Sequence, residues 1–240
     1  MALDHALMAR ARATGETVLR VYSWAQPTLS LGRNQLARGV YADAALAARG
    51  IGVVRRPTGG RALLHHREIT YSVTAPVQPD RDLLAAYEEI NSLLMGALAR
   101  LGVSVAVAQR AHRAAAPGAE PCFAEPAPGE LVVAGRKLVG SAQWRDAGAL
   151  LQHGSILVDD DQSTLPSLMH TPVHRPPAPA TLRELLGRQP EAREVADTLL
   201  ATVSAELDAG ARCLSVGEVE ALDRATLLEH YRSSAWTWRR

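Results

Sequence analysis

Residues 54–65 constrain the fold of this 240-residue chain more than any other stretch. An apolar, β-branched run ends in two arginines, a Pro-Thr-Gly-Gly turn follows, and a second apolar run carries the chain away. The pattern predicts two strands joined at a turn, because paired glycines permit positive φ and leave no side chain above the backbone. Bare N–H groups beside arginines would suit a carboxylate or a phosphate, although an ordinary hairpin turn with solvated arginines fits the same stretch.

Apolar periodicity predicts most of the remaining elements. Helical spacing indicates helices at 2–13, 42–49, 81–101, 191–208 and 217–231, and a short helix capped by Thr181. Alternating or β-branched runs indicate strands at 18–22, 28–31, 68–74, 103–107 and 150–159, the last interrupted by Gly154. Residues 130–144 predict a hairpin with Ala134 and Gly135 at its tip. Residues 109–129 predict a loop that is long enough to be either functional or disordered.

Composition narrows the class of protein. With 47% hydrophobic and 21% charged residues, the chain is predicted to be a soluble globular protein. A net charge of +1 argues against a nucleic-acid partner, and the absence of any apolar run of about 18 residues argues against a membrane span. Two cysteines, Cys122 and Cys213, and a start without a basic leader predict a reducing, cytoplasmic location.

The common catalytic motifs are missing, which leaves thiol chemistry as the candidate. The sequence has no G-x-G-x-x-G or P-loop, no C-x-x-C or H-E-x-x-H, and no G-x-S-x-G, so we predict no dinucleotide site, no metal and no serine hydrolase. Cys122 lies in the long loop, between Pro121 and the chain's single phenylalanine, Phe123. A cation close to such a thiol would stabilise the thiolate.

Lys137 is the only lysine among 26 basic residues. Codon bias with one chance survivor would explain this. The alternative is that position 137 needs a compact ammonium that a planar guanidinium cannot replace. Sequence spacing alone does not show that Lys137 and Cys122 meet in space.

Three stretches in order, residues 55–61, 135–143 and 151–157, resemble the signature motifs of the lipoate-protein ligase, octanoyltransferase and biotin ligase superfamily. The resemblance covers essentially the whole chain. It is strongest to the cysteine-dependent octanoyltransferases, for three reasons. Cys122 precedes the 130–144 hairpin, Arg61 stands where ligases usually have a third glycine, and we expect a sequence that stops near residue 240 to have no room for the accessory domain of the larger ligases. His66 departs from the family pattern, which has Asp after His65.

The resemblance implies an α/β (α+β) fold with a mixed β-sheet and flanking helices, in one catalytic domain (1–171 sheet-containing core, 172–240 mostly helical). It implies that Cys122 and Lys137 are catalytic, with Lys137 lowering the thiol pKa and holding the acyl carbonyl. It also implies an apolar slot lined by small residues together with Leu63 and Leu64, and arginines that face acidic carrier proteins. The implied substrate-binding residues are Arg55, Arg56, Gly59, Gly60, Arg61, Ala62, His65, Gly140, Ser141, Ala142, His153 and Gly154.

The implied reaction moves an octanoyl group from octanoyl-acyl carrier protein, through a Cys122 thioester, to a lysine of a lipoyl carrier domain such as the glycine-cleavage H protein. The enzyme would be a monomer and would need no cofactor. Two alternatives stay open from the sequence. An ATP-dependent lipoate ligase would use ATP and Mg²⁺ and would not need Cys122, and a non-catalytic carrier-binding protein would need neither Cys122 nor Lys137.

Overall fold

The computed structural model describes residues 1–77, 82–109, 123, 126–171 and 177–240. Cys122 lies outside the described residues, as does most of the predicted 109–129 loop. The elements, in chain order, are α1 (Ala2–Thr14), β1 (Val18–Tyr22), β2 (Thr28–Leu31), α2 (Asp43–Ala48), β3 (Gly52–Arg55), β4 (Leu63–His65), β5 (Glu68–Pro76), α3 (Leu83–Arg100), β6 (Ala106–Val107), β7 (Leu131–Val133), β8 (Arg136–Asp146), β9 (Ala149–Leu157), a 3-10 helix (Gln162–Leu168), α4 (Leu182–Leu186), α5 (Ala192–Glu206), α6 (Val216–Glu220), α7 (Ala225–Arg232) and α8 (Ser234–Thr237).

Six strands form the larger sheet, in the order β1-β5-β9-β8-β7-β6. Every neighbouring pair in it is antiparallel. The hairpin between β7 and β8 turns at Ala134 and Gly135, as predicted, and both residues have positive φ (48° and 75°). Such angles at both central residues match the right-handed twist of the strands on either side.

The smaller sheet has the order β3-β2-β4, with β2 parallel to β3 and antiparallel to β4. β3 and β4 are the two strands predicted around the Pro-Thr-Gly-Gly turn. They do not pair with each other, because β2 lies between them, so the turn is not a simple hairpin. Only His66 and Arg67 separate β4 from β5, and there the chain passes from one sheet to the other.

The larger sheet is covered on both faces. Its apolar face, which includes Ile69, Tyr71 and Val73 of β5, packs with residues of α3 and α5 in the main core. On the other face, α1 packs Met8 against Leu151 of β9. A second core lies between the smaller sheet, α2 and the 3-10 helix, and contains Leu29, Leu46 and Leu165 among others. Both faces of β5 and β9 are therefore withdrawn from water.

Several predicted boundaries were wrong in detail. The strand predicted at 103–107 is shorter, β6, and Gly154 does not interrupt β9. The helix predicted at 217–231 is divided into α6 and α7. No helix in the described ranges is long and apolar enough to cross a membrane.

Candidate active site

The side chains of Arg55 and Arg56 are buried inside the protein. The expectation that these two arginines face acidic carrier proteins was therefore wrong. They are 0% and 5% exposed. The Arg55 guanidinium donates to the carbonyl oxygens of Gln35 and Thr237, both at 2.8 Å. Burial, together with neighbouring arginines, lowers the pKa of Arg55 to about 10. Because buried carbonyl groups need donors, a guanidinium with five N–H groups can join several backbone segments at once.

Arg56 fixes the shape of the turn itself. Its guanidinium donates to the carbonyl oxygens of Ser30 (2.9 Å), Gly59 (2.8 Å) and Arg61 (2.8 Å). Gly60 has φ of 92°, and a Cβ there would lie 2.7 Å from the Arg56 guanidinium. Glycine is therefore required at residue 60 for both its backbone angle and its lack of a side chain. The Arg61 side chain is partly exposed, so Arg61 is the arginine of this turn that stays a candidate for binding a carrier protein.

His153 ties the larger sheet to this turn. Its Nε2 lies 2.7 Å from the hydroxyl oxygen of Thr58. Burial lowers the pKa of His153 to about 3, against the opposing effect of Asp4, so the ring is neutral at physiological pH. Ser72, the register partner of His153 on β5, donates a hydrogen bond to Asp4 (2.8 Å). Buried hydrogen bonds thus connect α1 with β5, and β9 with the turn.

The predicted slot residues divide between the two faces of the larger sheet, because successive side chains of a strand point in opposite directions. Gly140 lies on the side of Lys137: a Cβ at residue 140 would be 2.7 Å from the lysine Cε and 3.2 Å from the Phe123 ring. Ser141 lies on the other side, where its hydroxyl is 2.6 Å from the hydroxyl of Tyr71. A Cβ at Gly154 would also meet the Tyr71 ring, at 2.6 Å. Ser141 and Gly154 therefore face the main core and do not line one slot with Gly140, so that expectation was wrong.

Lys137 is buried and paired with a carboxylate. Its Nζ lies 2.6 Å from Oε1 of Glu130, and the two side chains are 1% and 6% exposed. The ammonium is also 4.4 Å from the centre of the Phe123 ring. The second carboxylate oxygen of Glu130 accepts a hydrogen bond from the Ala127 N–H (2.7 Å). The lysine head group is thus held between a carboxylate and an aromatic face.

An irregularity in the pairing of β7 with β8 directs the Lys137 side chain toward Glu130 and Phe123. Leu131 pairs with Val139, but the next residue, Val132, pairs with Lys137, so β8 contains one extra residue. Consecutive residues Leu138 and Val139 both contact the main core as a result. A β-bulge of this kind redirects the neighbouring side chain. Lys137 therefore lies beside Gly140.

Phe123 is the described residue closest in sequence to Cys122. It forms a small apolar cluster with Leu63 of β4 and Leu157 of β9, which come from the two different sheets. Leu63 thus lies where the predicted slot requires it. Leu64 packs in the core of the smaller sheet instead, together with Ala62, so neither belongs to this cluster.

His65 follows two residues after Leu63 and is 4% exposed. Its Nδ1 lies 3.0 Å from Oε1 of Glu68. The Trp24 indole stacks on the imidazole, with ring centres 4.3 Å apart and planes inclined by 18°. The Nε2 atom of His65 is buried and has no hydrogen-bond partner among the described residues. His66, by contrast, is exposed.

The comparisons with known proteins give this arrangement its context. Residues 1–204 match the family described as the lipoyl protein ligase A/B catalytic domain. The chain belongs to this family. It is 40% identical to Octanoyltransferase LipM of Kyrpidia tusciae, over all of this chain and 94% of that protein. It is 37% identical to Octanoyltransferase LipM of Symbiobacterium thermophilum, over all of this chain and 93% of that protein.

Solved structures of the family have the same fold. Lipoate-protein ligase A bound with ATP superposes with a TM-score of 0.78 at 20% identity, over 99% of this chain and 92% of that one. A putative lipoate protein ligase from T. acidophilum gives 0.75 at 21% identity, over 100% and 92%. The predicted superfamily and the predicted fold of a mixed sheet with flanking helices are both confirmed. Residues 1–204, which match the family, include the β7–β8 hairpin with Lys137, the turn between β3 and β4, and His65.

Three residues of the site are not predicted by the sequence patterns. The hairpin pattern predicts only a strand at Glu130, and the structure shows that the hairpin brings this acidic residue back to Lys137. The alternating pattern predicts only a strand at Glu68, which follows His65 by three residues and contacts its Nδ1. Trp24 carries no sequence signal for its stacking on His65. Within the described residues there is no group of three or more His, Cys, Asp or Glu that could hold a metal ion.

Proposed function

We propose that this octanoyltransferase of protein lipoylation carries the acyl chain as a thioester on Cys122. The octanoyltransferase prediction is confirmed by relatives of that name, which are 37–40% identical and aligned over the whole chain. The observation that supports the thioester is the buried Lys137 ammonium, fixed by Glu130 and lying on Phe123. Phe123 is the residue next to Cys122 in the sequence, so the cation is held against the immediate neighbour of the thiol residue.

The first half of the reaction forms the acyl-enzyme. The Cys122 thiolate attacks the thioester carbonyl of octanoyl-acyl carrier protein, the bond to the carrier's sulfur breaks, and the carrier leaves as a thiol after taking up a proton. Lys137 favours the thiolate, since a nearby positive charge lowers the pKa of a thiol. The same ammonium stabilises the negative charge that develops on the carbonyl oxygen.

The second half of the reaction transfers the octanoyl group to the acceptor. The lysine amine of a lipoyl carrier domain, with the glycine-cleavage H protein as our candidate, attacks the Cys122 thioester. An amide forms as the nitrogen loses a proton to water, and the Cys122 thiolate is released. Arg61, which is partly exposed, is our candidate for contacting the acidic carrier proteins.

Mixing the pure protein with octanoyl-acyl carrier protein, without ATP, tests the proposal directly. We expect intact-mass spectrometry to show one octanoyl group that hydroxylamine removes. Cys122→Ser should lose both the adduct and transfer to the H protein. Cys213→Ser is the matched control, because Cys213 is an exposed free cysteine, and it should keep both. Transfer that survives Cys122→Ser, and that requires ATP and free lipoate, would instead identify a ligase.

A further inference from the structure

His65 is held in one orientation by its neighbours while one of its nitrogen atoms is left without a partner. Nδ1 lies 3.0 Å from Glu68, and the Thr70 hydroxyl donates to the same carboxylate at 2.7 Å. The Trp24 indole stacks on the ring and donates its own N–H to the Thr70 hydroxyl at 2.9 Å. The result is a fixed carboxylate–imidazole pair whose Nε2 has no hydrogen-bond partner among the described residues.

This pair borders the cluster beside the lysine. His65 is on β4 with Leu63, which packs against Phe123 and Leu157. Glu68 is the register partner of Leu157. Ser155, whose hydroxyl is 3.5 Å from His65 Nδ1, pairs in turn with Gly140 beside Lys137. Neighbouring residues on one face of the sheet thus connect His65 to the ammonium.

The acyl transfer needs a base that the proposed mechanism has not yet supplied. A lysine amine has a pKa of about 10.4, so the acceptor is an ammonium near neutral pH and must lose a proton before or during attack. Lys137 donates a hydrogen bond to Glu130, and an ammonium has no lone pair that could accept a proton. His153 Nε2 is engaged with Thr58. A buried polar atom without a partner is uncommon in proteins and calls for an explanation.

We propose that His65 is the general base of the second half-reaction and that Glu68 is its positioning residue. His65 Nε2 accepts one proton of the acceptor ammonium, which frees the nitrogen lone pair to attack the thioester carbonyl. The carbon–nitrogen bond forms, the carbon–sulfur bond breaks, and the electron pair leaves on the Cys122 sulfur. The nitrogen releases its second proton to water as the amide forms, so Cys122 returns to the thiolate. The first proton passes from the imidazolium to water. Glu68 selects the tautomer that carries hydrogen on Nδ1, which leaves Nε2 as the atom that accepts a proton. The inference rests on the proposed function, because it requires the thioester.

The proposal is tested by comparing two nucleophiles, one of which needs a base to remove a proton and one of which does not. Acyl-enzyme is prepared first, and its decay is then followed in a single turnover with either the lipoyl carrier domain or hydroxylamine. Hydroxylamine is already neutral near pH 7 and needs no base, whereas the carrier lysine does. We expect His65→Gln to slow transfer to the carrier by about 10² or more, the usual contribution of a general base. Hydroxylamine should cleave the wild-type and His65→Gln thioesters at similar rates. The loss should shrink as pH rises toward the pKa of the acceptor amine.

Control variants separate the base from its surroundings. His66→Gln changes the exposed neighbouring histidine and should leave both rates unchanged. Glu68→Gln should reduce transfer to the carrier less than His65→Gln and displace its pH profile, and it should not affect hydroxylamine cleavage. Of the titratable groups around His65, Glu68 is at hydrogen-bond distance, and His153 remains neutral in this pH range because its pKa is about 3. Asp161 lies near Glu68. If His65→Gln does not fold, His65→Asn, which keeps a polar atom near Nδ1 only, replaces it.

The possible failures are distinguishable. Equal losses with both nucleophiles would overturn the base assignment, because His65 would then act on the acyl group or on the fold. An unchanged rate with the carrier domain would overturn it as well. If the wild-type protein forms no thioester on Cys122, the proposed function fails first, and the inference that rests on it falls with it.

Discussion

Replacing Lys137 by methionine should both destabilise the protein and stop acyl transfer, and a second substitution separates the two effects. The Lys137–Glu130 pair is 2.6 Å long and almost fully buried. Removing only the lysine would leave a buried carboxylate without its partner, at a cost of about 3–5 kcal/mol in the free energy of unfolding. For a chain of this size that corresponds to a fall of roughly 6–20 °C in the melting temperature.

The double variant Lys137→Met with Glu130→Gln should regain most of this stability. A neutral amide at residue 130 can still accept the hydrogen bond from the Ala127 N–H, and no buried charge is left unpaired. We expect its free energy of unfolding, measured by urea denaturation, to return to within about 1–2 kcal/mol of wild type, because apolar replacement of buried ion pairs is often nearly neutral. Acyl-enzyme formation should stay lost, because the ammonium that favours the thiolate is absent.

Two results would refute this reasoning. A single Lys137→Met variant as stable as wild type would show that the pair is solvated in solution. A double variant that forms the acyl-enzyme at the wild-type rate would show that the ammonium has no part in the chemistry, and Lys137 would then be a structural residue.

Gly140→Ala should leave the protein folded but slow acyl transfer by roughly 10². A Cβ at residue 140 would lie 2.7 Å from the Lys137 Cε and would displace the ammonium by about 1 Å. Gly217→Ala is the control for the transfer assay, because a Cβ at residue 217 would have no atom within 4 Å. His153 is neutral when folded, with a pKa of about 3, so its contribution to stability is complete above the ordinary value of 6.5 and declines as pH falls from 6.5 toward 3. Urea denaturation between pH 5 and 7.5 should show a slope of up to about 1.4 kcal/mol per pH unit that His153→Gln removes, and equal slopes would contradict this. We expect calorimetry to show no heat of ATP binding, because Arg61 stands where ligases have glycine, and a clear heat of binding would mean that Arg61 does not obstruct a nucleotide.

Local sequence was sufficient where the physical cause is local. The turn at Ala134 and Gly135 was predictable because a tight hairpin requires residues that tolerate positive φ. The apolar stripe of residues 81–101 predicted α3 to within two residues at either end, because one face of a helix must be buried. The lone lysine also marked residue 137 as unusual, and the structure places that lysine in a buried ion pair.

Other features depend on partners that are distant in sequence. Glu68, Thr70, Ser72 and Thr74 alternate with apolar residues along β5, which predicts one face in contact with water. In the folded protein all four are buried, because α1 and the turn between β3 and β4 cover that face. The polar face of β5 is buried only because α1 and the turn between β3 and β4 lie over it, and this burial makes it a site lined by hydrogen-bonding groups.

The sequence by itself determined the strands, the main helices, the turn and the identity of the residues with unusual chemistry, because each follows from the preferences of a short segment. Only the tertiary structure decided which of them meet. Arg55 donates hydrogen bonds to the backbone carbonyl groups of Gln35 and Thr237, which lie far apart in the sequence, and does not face a partner. Ser141 and Gly140 lie on opposite faces of the sheet because the strand is pleated. Lys137 contacts Glu130 because a bulge adds one residue to β8. Such contacts depend on register and on layer packing, and neither is encoded in a short segment.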